Sequence, residues 1–391
     1  MNRSETTHPL AGDARAGAAE PRVLILTASV GAGHDLPAAT LSAQLREERA
    51  GVVVVAEDAL AAVGGLVKAL SADAAELFFF RFRVVWDVGF WLFARCPPTR
   101  RATQALLAYK SAAALLRRIE CARPDVVVST YPNMTEVLGR LRRAGRLDVP
   151  VCSAITDLAA LDYWATRGVD VHLVTHPESI PEVRRIAGPD TRVTCVHGFT
   201  SPDFRIARSA EDARRALGLP EEGAIVLVSG GGWGVGDVLG AVAEALELTR
   251  IVCVVCLCGT NEALRRKLLH AYADEPRVRI EGFTDLMPEW MAASDVVVHA
   301  TCGLTVLEAH MRGCAVISYG WGRGHIRVND RALRRSGLGD VVRTRRELGP
   351  AILRAIARPR RPDPRFAEMP SAASIVLELA DEARTRREAA R

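Results

Sequence analysis

The sequence predicts an α/β protein built from two doubly wound, Rossmann-like domains that face each other across a cleft. Short apolar runs alternate with amphipathic stretches, which indicates parallel sheets covered by helices. Several runs, such as VVVS and IVLVS, are apolar almost throughout, as expected of strands buried on both faces. The length of 391 residues exceeds one ordinary core and fits two domains of roughly 200 residues each.

Helical periodicity separates most of the apolar runs and gives the expected order of elements. The predicted strands are residues 22–28, 52–56, 125–129, 149–155, 171–174 and 193–196 in the first half, and 224–229, 251–257, 278–280, 295–299 and 315–318 in the second. The clearest predicted helices are residues 36–49, 103–121, 181–186, 238–248, 262–273, 304–311 and 326–336.

A turn-rich stretch without periodicity, residues 198–209, divides the two halves and is the predicted linker. It separates a first domain of residues 22–197 from a second domain of residues 210–358. Residues 1–21 lack an apolar run, so we expect a disordered tail and not a secretory signal. Residues 359–391 are predicted to form a tail with a helix that closes against one of the domains.

Composition and charge exclude several classes of protein. Apolar residues make up 49% of the chain and charged residues 25%, which is typical of a globular protein. The formal charge of +5 is too small to indicate a nucleic-acid binder, and no apolar run is long enough to cross a bilayer. Nine cysteines without a signal sequence favour a reducing cytoplasm. Cys253 and Cys256 lie in a predicted strand with their side chains on opposite faces, so we expect no metal site.

Three glycine-containing turns follow predicted strands, at the sheet edge where doubly wound domains bind ligands. Glycine lets the backbone approach a phosphate, and the following helix presents unpaired N–H groups, although such turns also occur for packing alone. The chain has no complete dinucleotide fingerprint, P-loop or Asp-x-Asp pair, which leaves a nucleotide diphosphate held by backbone amides without a metal. The residues of interest in these turns are Gly31, Gly33, Gly232, Trp233, Gly303, Leu304 and Thr305.

Three titratable side chains near these strand ends are candidates for chemistry. His34 follows the first glycine turn, where an imidazole can act as a general base or simply cap a helix. Asp157 follows the strand at 149–155 and could orient His34, act as the base itself or cap a helix. Glu308 lies about one turn into the helix after Gly303, where it could accept hydrogen bonds from a ribose or remain a solvated charge.

Together these motifs resemble a glycosyltransferase of the GT-B fold, in the family 28-like group of monogalactosyldiacylglycerol synthases and processive diacylglycerol glucosyltransferases. Residues 29–34, S-V-G-A-G-H, are similar to the amino-terminal S-x-G-x-G-H of that group. Residues 156–170 are similar to its T-D…W…D segment. Residues 282–287 resemble the loop that meets the uracil base, and residues 294–309 resemble the S-D…G-G-L-T…E-A block.

The sequence departs from the family pattern around the expected sugar site. The family's P-G-Q-E-x-x-N loop reads R-G-H-I-R-V-N here, so His325 and Ile326 replace its Gln and Glu while Asn329 is kept. Cys302 replaces a glycine of the P-G-G-L-T turn, and Leu161 replaces a histidine. The resemblance therefore implies a UDP-hexose donor but leaves the identity of the hexose open.

The resemblance implies an inverting, metal-independent transfer of a hexose from a UDP-sugar to a lipid hydroxyl, with diacylglycerol as the expected acceptor. The first domain would hold the acceptor and the membrane, with His34 as the base assisted by Asp157. The second domain would hold the donor, and we expect no separate cofactor. The residues expected to bind the donor are Gly232, Trp233, Phe283, Thr284, Met287, Gly303, Leu304, Thr305, Glu308, His325 and Asn329.

An aromatic segment at residues 78–93 is the other unusual feature of the first half. It holds eight of the chain's 21 aromatic residues, and residues 81–119 hold eight basic residues against one acidic residue. Aromatic rings beside arginines suit a segment in the headgroup layer of an anionic membrane, although a core helix could have the same composition. We expect peripheral attachment to the inner face of the cell membrane. The residues expected on the acceptor and membrane side are Gly31, Gly33, Phe79, Phe82, Trp86 and Trp91.

Two alternatives remain open from the sequence. One is a UDP-sugar epimerase of the same architecture, which would need no lipid and would form an epimer from the UDP-sugar alone. The other is a non-catalytic UDP-sugar-binding protein, which would bind the donor tightly without turnover.

Overall fold

The chain folds into two parallel β-sheets that are flanked by helices, which confirms the predicted class of two doubly wound α/β domains. The computed structural model describes residues 20–28, 32–59, 88–89, 91–92, 96–159, 161–300, 303–320, 322, 325–366 and 368–390.

The first sheet has the strand order β2-β1-β3-β4-β5-β6, and all its paired strands are parallel. Its central strands are buried along their length because helices cover both faces. The order reverses beside β1, so the loops after β1 and β3 flank a topological switch point. The strands are β1 Arg22–Thr27, β2 Val53–Asp58, β3 Val126–Ser129, β4 Val151–Ile155, β5 Val171–Val174 and β6 Arg192–Cys195.

Four described helices connect these strands. Proline occupies the first turns of α2 and α3, where its missing N–H is not needed for a helical hydrogen bond. The first helix begins at Ala32, four residues before the predicted start at 36, so Gly33 and His34 lie in its first turn. The helices are α1 Ala32–Glu48, α2 Pro97–Ala122, α3 Pro132–Arg143 and α4 Ile180–Ala187.

The second sheet has the strand order β12-β11-β10-β7-β8-β9 and is also parallel. Five of its strands coincide with predicted ones, while β12 has only three residues at a sheet edge and was not predicted. The strands are β7 Ala224–Ser229, β8 Ile251–Leu257, β9 Val278–Glu281, β10 Val296–His299, β11 Ala315–Tyr319 and β12 Asp340–Val342.

Several helices of the second domain begin at polar caps or at proline. Ser209, Asp237 and Asn261 each accept a hydrogen bond from a backbone N–H of the first turn, and Thr344 forms a capping box with Glu347. The helices are α5 Ala210–Leu217, α6 Val238–Leu246, α7 Glu262–Ala271, α8 Met287–Ala293, α9 Leu304–Arg312, α10 His325–Arg335 and α11 Arg345–Ile356.

Each face of the second sheet packs into its own core. Cys253 lies in the core that contains Leu227, whereas Cys256 lies in the core that contains Val226. The two thiols therefore point to opposite faces of β8, as its alternation requires.

The carboxyl-terminal helix α12, Ala372–Ala389, packs against the first domain. Its residue Val376 belongs to the same buried core as Val23 of β1. The backbone N–H of Ala372 donates to the carbonyl of His197 at 2.8 Å. The chain thus crosses to the second domain and returns to the first. The exact boundaries of the domains stay a prediction.

Each of the two domains also packs apolar side chains against a core of the other. Leu158 and Ala159, which follow β4, pack into a core of the second domain. In return, Leu304 at the start of α9 packs against the core of the first domain. These contacts bring the loops after β4 and β10 together.

Candidate functional site

The loops after β4 and β10 meet at the boundary between the domains. Gly303 begins α9 with a φ of 101°, a conformation that favours glycine. A Cβ at this position would lie 3.5 Å from the carbonyl of Thr156 and 4.0 Å from Asp157 Oδ1. The amino-terminal end of α9 in the second domain is therefore adjacent to the Asp157 carboxylate of the first.

Asp157 is held by donors from both domains. Its Oδ2 accepts a hydrogen bond from the indole Nε1 of Trp164 at 2.8 Å. Its Oδ1 accepts from the Nδ2 of Asn329 at 3.4 Å, across the domain boundary. The carboxylate therefore has one defined partner for each oxygen.

Asn329 lies on α10 and is fully buried. Besides the bond to Asp157, its Oδ1 accepts from the backbone N–H of Ala159 at 2.8 Å. The sequence predicted that Asn329 contacts the sugar, and the structure directs both ends of its carboxamide towards the first domain. The predicted contact with the hexose itself stays a prediction.

Glu308 is buried on α9 instead of facing solvent. The hydroxyl of Thr200, in the predicted linker, donates a hydrogen bond to Glu308 Oε1. Burial raises the pKa of Glu308 to about 7, and the bond from Thr200 partly opposes the shift. This carboxyl can therefore change its charge near neutral pH.

The glycine turn after β7 packs closely against the loop after β8. Gly231 and Gly234 both adopt positive φ, at 67° and 63°. The carbonyl of Gly232 accepts from both the N–H and the hydroxyl of Thr260, and the carbonyl of Trp233 accepts from Asn261. These bonds fix the turn next to the ends of β7 and β8.

The predicted base-binding loop has one exposed ring and two anchors. The side chain of Phe283 is 66% exposed. Thr284 accepts hydrogen bonds from the N–H of Leu286 at 3.0 Å and from Trp290 Nε1 at 3.3 Å. Met287 packs against the core of the second domain. The Phe283 ring is thus exposed to solvent, while the contacts of Thr284 and Met287 hold the loop in place.

A cavity of about 950 Å³ lies between the domains and borders the site at Ala159. Ala159 and Asp162 line it from the first domain, and Gly322, Arg327 and Arg331 line it from the second. Across the described part of the chain, no group of three or more His, Cys, Asp or Glu side chains is arranged to hold a metal ion.

Several predicted site residues are described only in part or not at all. Gly33 and His34 lie in the first turn of α1, with the His34 side chain outside the described residues. His325 begins α10, again with its side chain outside the description, and Thr305 is half-buried in the first turn of α9. Gly31, Phe79, Phe82 and Trp86 fall outside the described residues.

Thr200 is a residue of the site that the sequence did not indicate. It lies in a stretch of turn-forming residues, beyond the strands whose ends predicted the other candidates. Its hydroxyl gave no distinguishing signal, because Ser201 and Ser209 of the same linker also carry hydroxyls.

Comparison with known proteins identifies similar families and similar folds. Residues 34–198 match the family model of monogalactosyldiacylglycerol synthase, and residues 231–354 match that of glycosyl transferases group 1. By structure, Acinetobacter baumannii MurG is similar at a TM-score of 0.54 and 16% identity, covering 93% of this chain and 95% of its own. Arabidopsis thaliana UGT89C1 complexed with UDP is similar at a TM-score of 0.56 and 13% identity, covering 93% and 100%. The chain has the GT-B fold.

Curated relatives extend the similarity in sequence to family 28-like glycosyltransferases. A processive diacylglycerol beta-glucosyltransferase of Staphylococcus carnosus is 25% identical over 58% of this chain and 57% of its own length. Monogalactosyldiacylglycerol synthase 1 of Arabidopsis thaliana is 28% identical over 64% and 48%. A Bacillus cereus processive diacylglycerol beta-glucosyltransferase is 24% identical over 83% and 82%. The chain thus spans little more than half the length of the first of these relatives.

The aromatic segment of this GT-B chain is described only at its end. Val88 and Trp91 are 51% and 59% exposed. On the following helix α2, Leu106 and Tyr109 are exposed as well, at 57% and 84%. None of the described helices combines the length and apolar character needed to cross a bilayer.

Proposed function

We propose that the protein transfers a hexose from a UDP-sugar to the hydroxyl of diacylglycerol, with inversion at the sugar carbon and without a metal ion. The observation that carries this proposal is the proximity of Gly303, at the amino-terminal end of α9, to Asp157 across the domain boundary. The backbone amides at this end of α9 can bind a diphosphate, and the Asp157 carboxylate beside them can assist deprotonation of an acceptor hydroxyl. Glycosyl transfer requires that donor and acceptor be held next to each other in this way. The similarity to proteins named for diacylglycerol supports the acceptor.

The second domain provides the donor site. The amino-terminal end of α9 presents backbone N–H groups and a positive dipole end, which can neutralise the leaving diphosphate. The Gly232–Trp233 turn lies after the neighbouring strand β7 and can contribute further amides. Glu308 holds the ribose, and Phe283 packs against the uracil base. His325 and Asn329 lie at the sugar.

The first domain provides the acceptor chemistry. His34 takes the proton of the acceptor hydroxyl, assisted by Asp157. The hydroxyl oxygen attacks the anomeric carbon as the bond from that carbon to the diphosphate oxygen breaks. UDP leaves with the electron pair, the configuration inverts, and the proton passes from His34 to solvent.

A lipid acceptor requires contact with a membrane, and the aromatic segment supports it. The exposed Trp91 and Val88 precede α2, whose exposed residues include Leu106 and Tyr109. Arginines of this region suit an anionic surface while the rings enter the headgroup layer. We therefore propose peripheral attachment to the inner face of the cell membrane.

Donor screening tests the proposal directly. The protein is incubated with UDP-glucose, UDP-galactose or UDP-N-acetylglucosamine, with diacylglycerol vesicles and a chelator, and glycolipid and free UDP are measured. His34→Ala should reduce turnover by about 10²-fold or more, the usual effect of removing a general base. His270→Ala, an exposed histidine of α7, is the matched control.

Three results would contradict the proposal. An epimer formed from the UDP-sugar without lipid would indicate an epimerase. Tight UDP binding without any turnover would indicate a binding protein. Near-normal turnover of a folded His34→Ala variant would exclude His34 as the base.

A further inference from the structure

The side chain of Asn329 connects the two domains at the proposed reaction centre. Its Oδ1 accepts from the Ala159 N–H at 2.8 Å, and its Nδ2 donates to Asp157 Oδ1 at 3.4 Å. Both partners belong to the loop after β4, whereas Asn329 belongs to α10 of the second domain. One amide group therefore joins the donor domain to two points of the acceptor domain.

The orientation of Asp157 depends on this contact. Within its own domain, the carboxylate has the bond from Trp164 Nε1 to Oδ2, and an indole N–H can only donate. A single bond leaves rotation about the last torsion of the side chain. The bond from Asn329 to Oδ1 adds the second point that fixes the carboxylate plane.

Asn329 is itself rigidly placed. It is fully buried, and the neighbouring Asp330 accepts a hydrogen bond from Ser318 of β11 at 2.6 Å. The bond to Ser318 attaches the first turns of α10 to the second sheet. A movement of the second domain is thereby transmitted to the Asn329 amide.

We propose that Asn329 is a positioning residue that couples closure of the two domains to the orientation of Asp157. The inference rests on the proposed function, in which Asp157 assists the base. Of the two contacts described for the Asp157 carboxylate, the separated state keeps the bond from Trp164, and in the closed state the second domain adds the bond from Asn329. Chemistry is thus restricted to the closed, donor-loaded protein, where water is excluded.

Asn329→Asp is the variant that separates this role from sugar recognition. It has nearly the same shape and keeps an oxygen for the Ala159 N–H, but it replaces the donor facing Asp157 with a second carboxylate oxygen. We expect kcat to fall by about 10²-fold with every accepted UDP-sugar, since small misplacements of a reacting group cost about that much. The KM for the donor should change far less than kcat, because the proposed contacts to the diphosphate, the ribose and the base do not involve Asn329.

The pH dependence supplies a readout that a purely structural role would not change. A second carboxylate beside Asp157 favours proton binding by the pair, so the acidic limb of the kcat profile should move to higher pH. Ser318→Ala loosens the same helix without touching the first domain and is the structural control. It should leave the profile where it is in the wild type.

Small-angle X-ray scattering with UDP bound tests the coupling without relying on activity. Asn329→Asp should keep the domains more open than in the wild type because two carboxylates repel. The exchange variant Asp157→Asn with Asn329→Asp re-forms the hydrogen bond with donor and acceptor reversed. It should restore closure but not turnover, since the carboxylate is then on the wrong residue.

The outcomes distinguish this inference from the proposed function. A rise in donor KM with a changed preference among UDP-sugars and unchanged kcat would show that Asn329 reads the sugar and would overturn the inference. Equal closure of Asn329→Asp and wild type would also overturn it. Absence of wild-type turnover with all donors would instead reject the proposed function, while the scattering comparison would still decide whether Asn329 couples the domains.

Discussion

The hydroxyl of Thr200 donates a hydrogen bond to the carboxyl of Glu308, although the two residues are 108 positions apart in the chain. In the chain, Thr200 lies after β6 of the first sheet and before β7 of the second, and Glu308 lies in α9. Both side chains are buried. Burial raises the pKa of Glu308 to about 7. The predicted linker, residues 198–209, therefore contacts the residue proposed to hold the ribose and influences its charge.

Replacing Glu308 with glutamine should stabilise the protein at alkaline pH. Because the folded-state pKa is raised, the stability contributed by this carboxyl is fully present below its unfolded value of 4.5 and is lost as the pH rises through about 7. We expect Glu308→Gln to raise the free energy of unfolding by about 2–3 kcal/mol at about pH 8 and by little at about pH 5. Urea unfolding measures this, with the exposed Glu222→Gln as the control. A variant less stable than the wild type at the higher pH would contradict the argument.

Phe283 should contribute to the affinity for UDP. Its ring is 66% exposed on a loop that Thr284 holds in place. Aromatic stacking is worth about 0.5–1.5 kcal/mol, so Phe283→Ala should raise the Kd for UDP by about 2- to 12-fold. Isothermal titration calorimetry in the presence of a chelator measures this. The same change at Leu269, an apolar residue 43% exposed on α7, should have no effect, and equal effects would remove Phe283 from the donor site.

The aromatic segment should release the protein from anionic vesicles when charge is introduced. Trp91 is 59% exposed, so Trp91→Glu should weaken vesicle binding by about tenfold or more without altering the fold. Phe79→Glu and Phe82→Glu should act in the same way. Vesicle sedimentation and circular dichroism measure both properties, and Leu269→Glu is the control. Loss of the folded spectrum in place of vesicle release would favour a core helix.

Buried histidines should make the protein sensitive to acid. Burial lowers the pKa of His172, His176 and His197 to about 4. Since each folded-state pKa lies below the ordinary 6.5, the neutral rings stabilise the fold above that pH, and the contribution is lost as the pH falls towards 4. We expect about 2–3 kcal/mol of lost stability for each fully buried histidine between about pH 6.5 and 4. In urea unfolding, the free energy of unfolding of His172→Gln should depend less on pH than that of the wild type. The change His270→Gln, at an exposed histidine, should leave this pH dependence unaltered.

Long apolar strands were predictable, but short or polar elements were not. Strand β8, Ile251–Leu257, and strand β7, Ala224–Ser229, coincide with their predictions because each buries nearly every side chain. Strand β12, Asp340–Val342, has only three residues at a sheet edge and carries no periodicity. Helix α3, Pro132–Arg143, contains a glycine in its second half, and the low helix propensity of glycine weakens the local signal.

Parts of the candidate site followed from the same reasoning. Asp157 and Gly303 each follow an apolar strand, and the carboxyl ends of the parallel strands lie at one edge of each sheet, where ligands bind. The contacts of Asn329 did not follow, because its partners lie 170 and 172 residues away in the other domain. The burial of Glu308 was also missed, since its helix alone would leave it beside solvent.

The sequence by itself determined the two parallel sheets, the glycine turns at their edges and the resemblance to GT-B glycosyltransferases, because these depend on local composition and on spacing along the chain. Only the tertiary structure decided that Asn329 holds Asp157, that Thr200 contacts Glu308 and that α12 returns to the first domain. These contacts arise from how segments that are distant in the chain pack together. Packing between such segments depends on shape and on hydrogen-bond partners that are distant in the chain, and no local pattern records it.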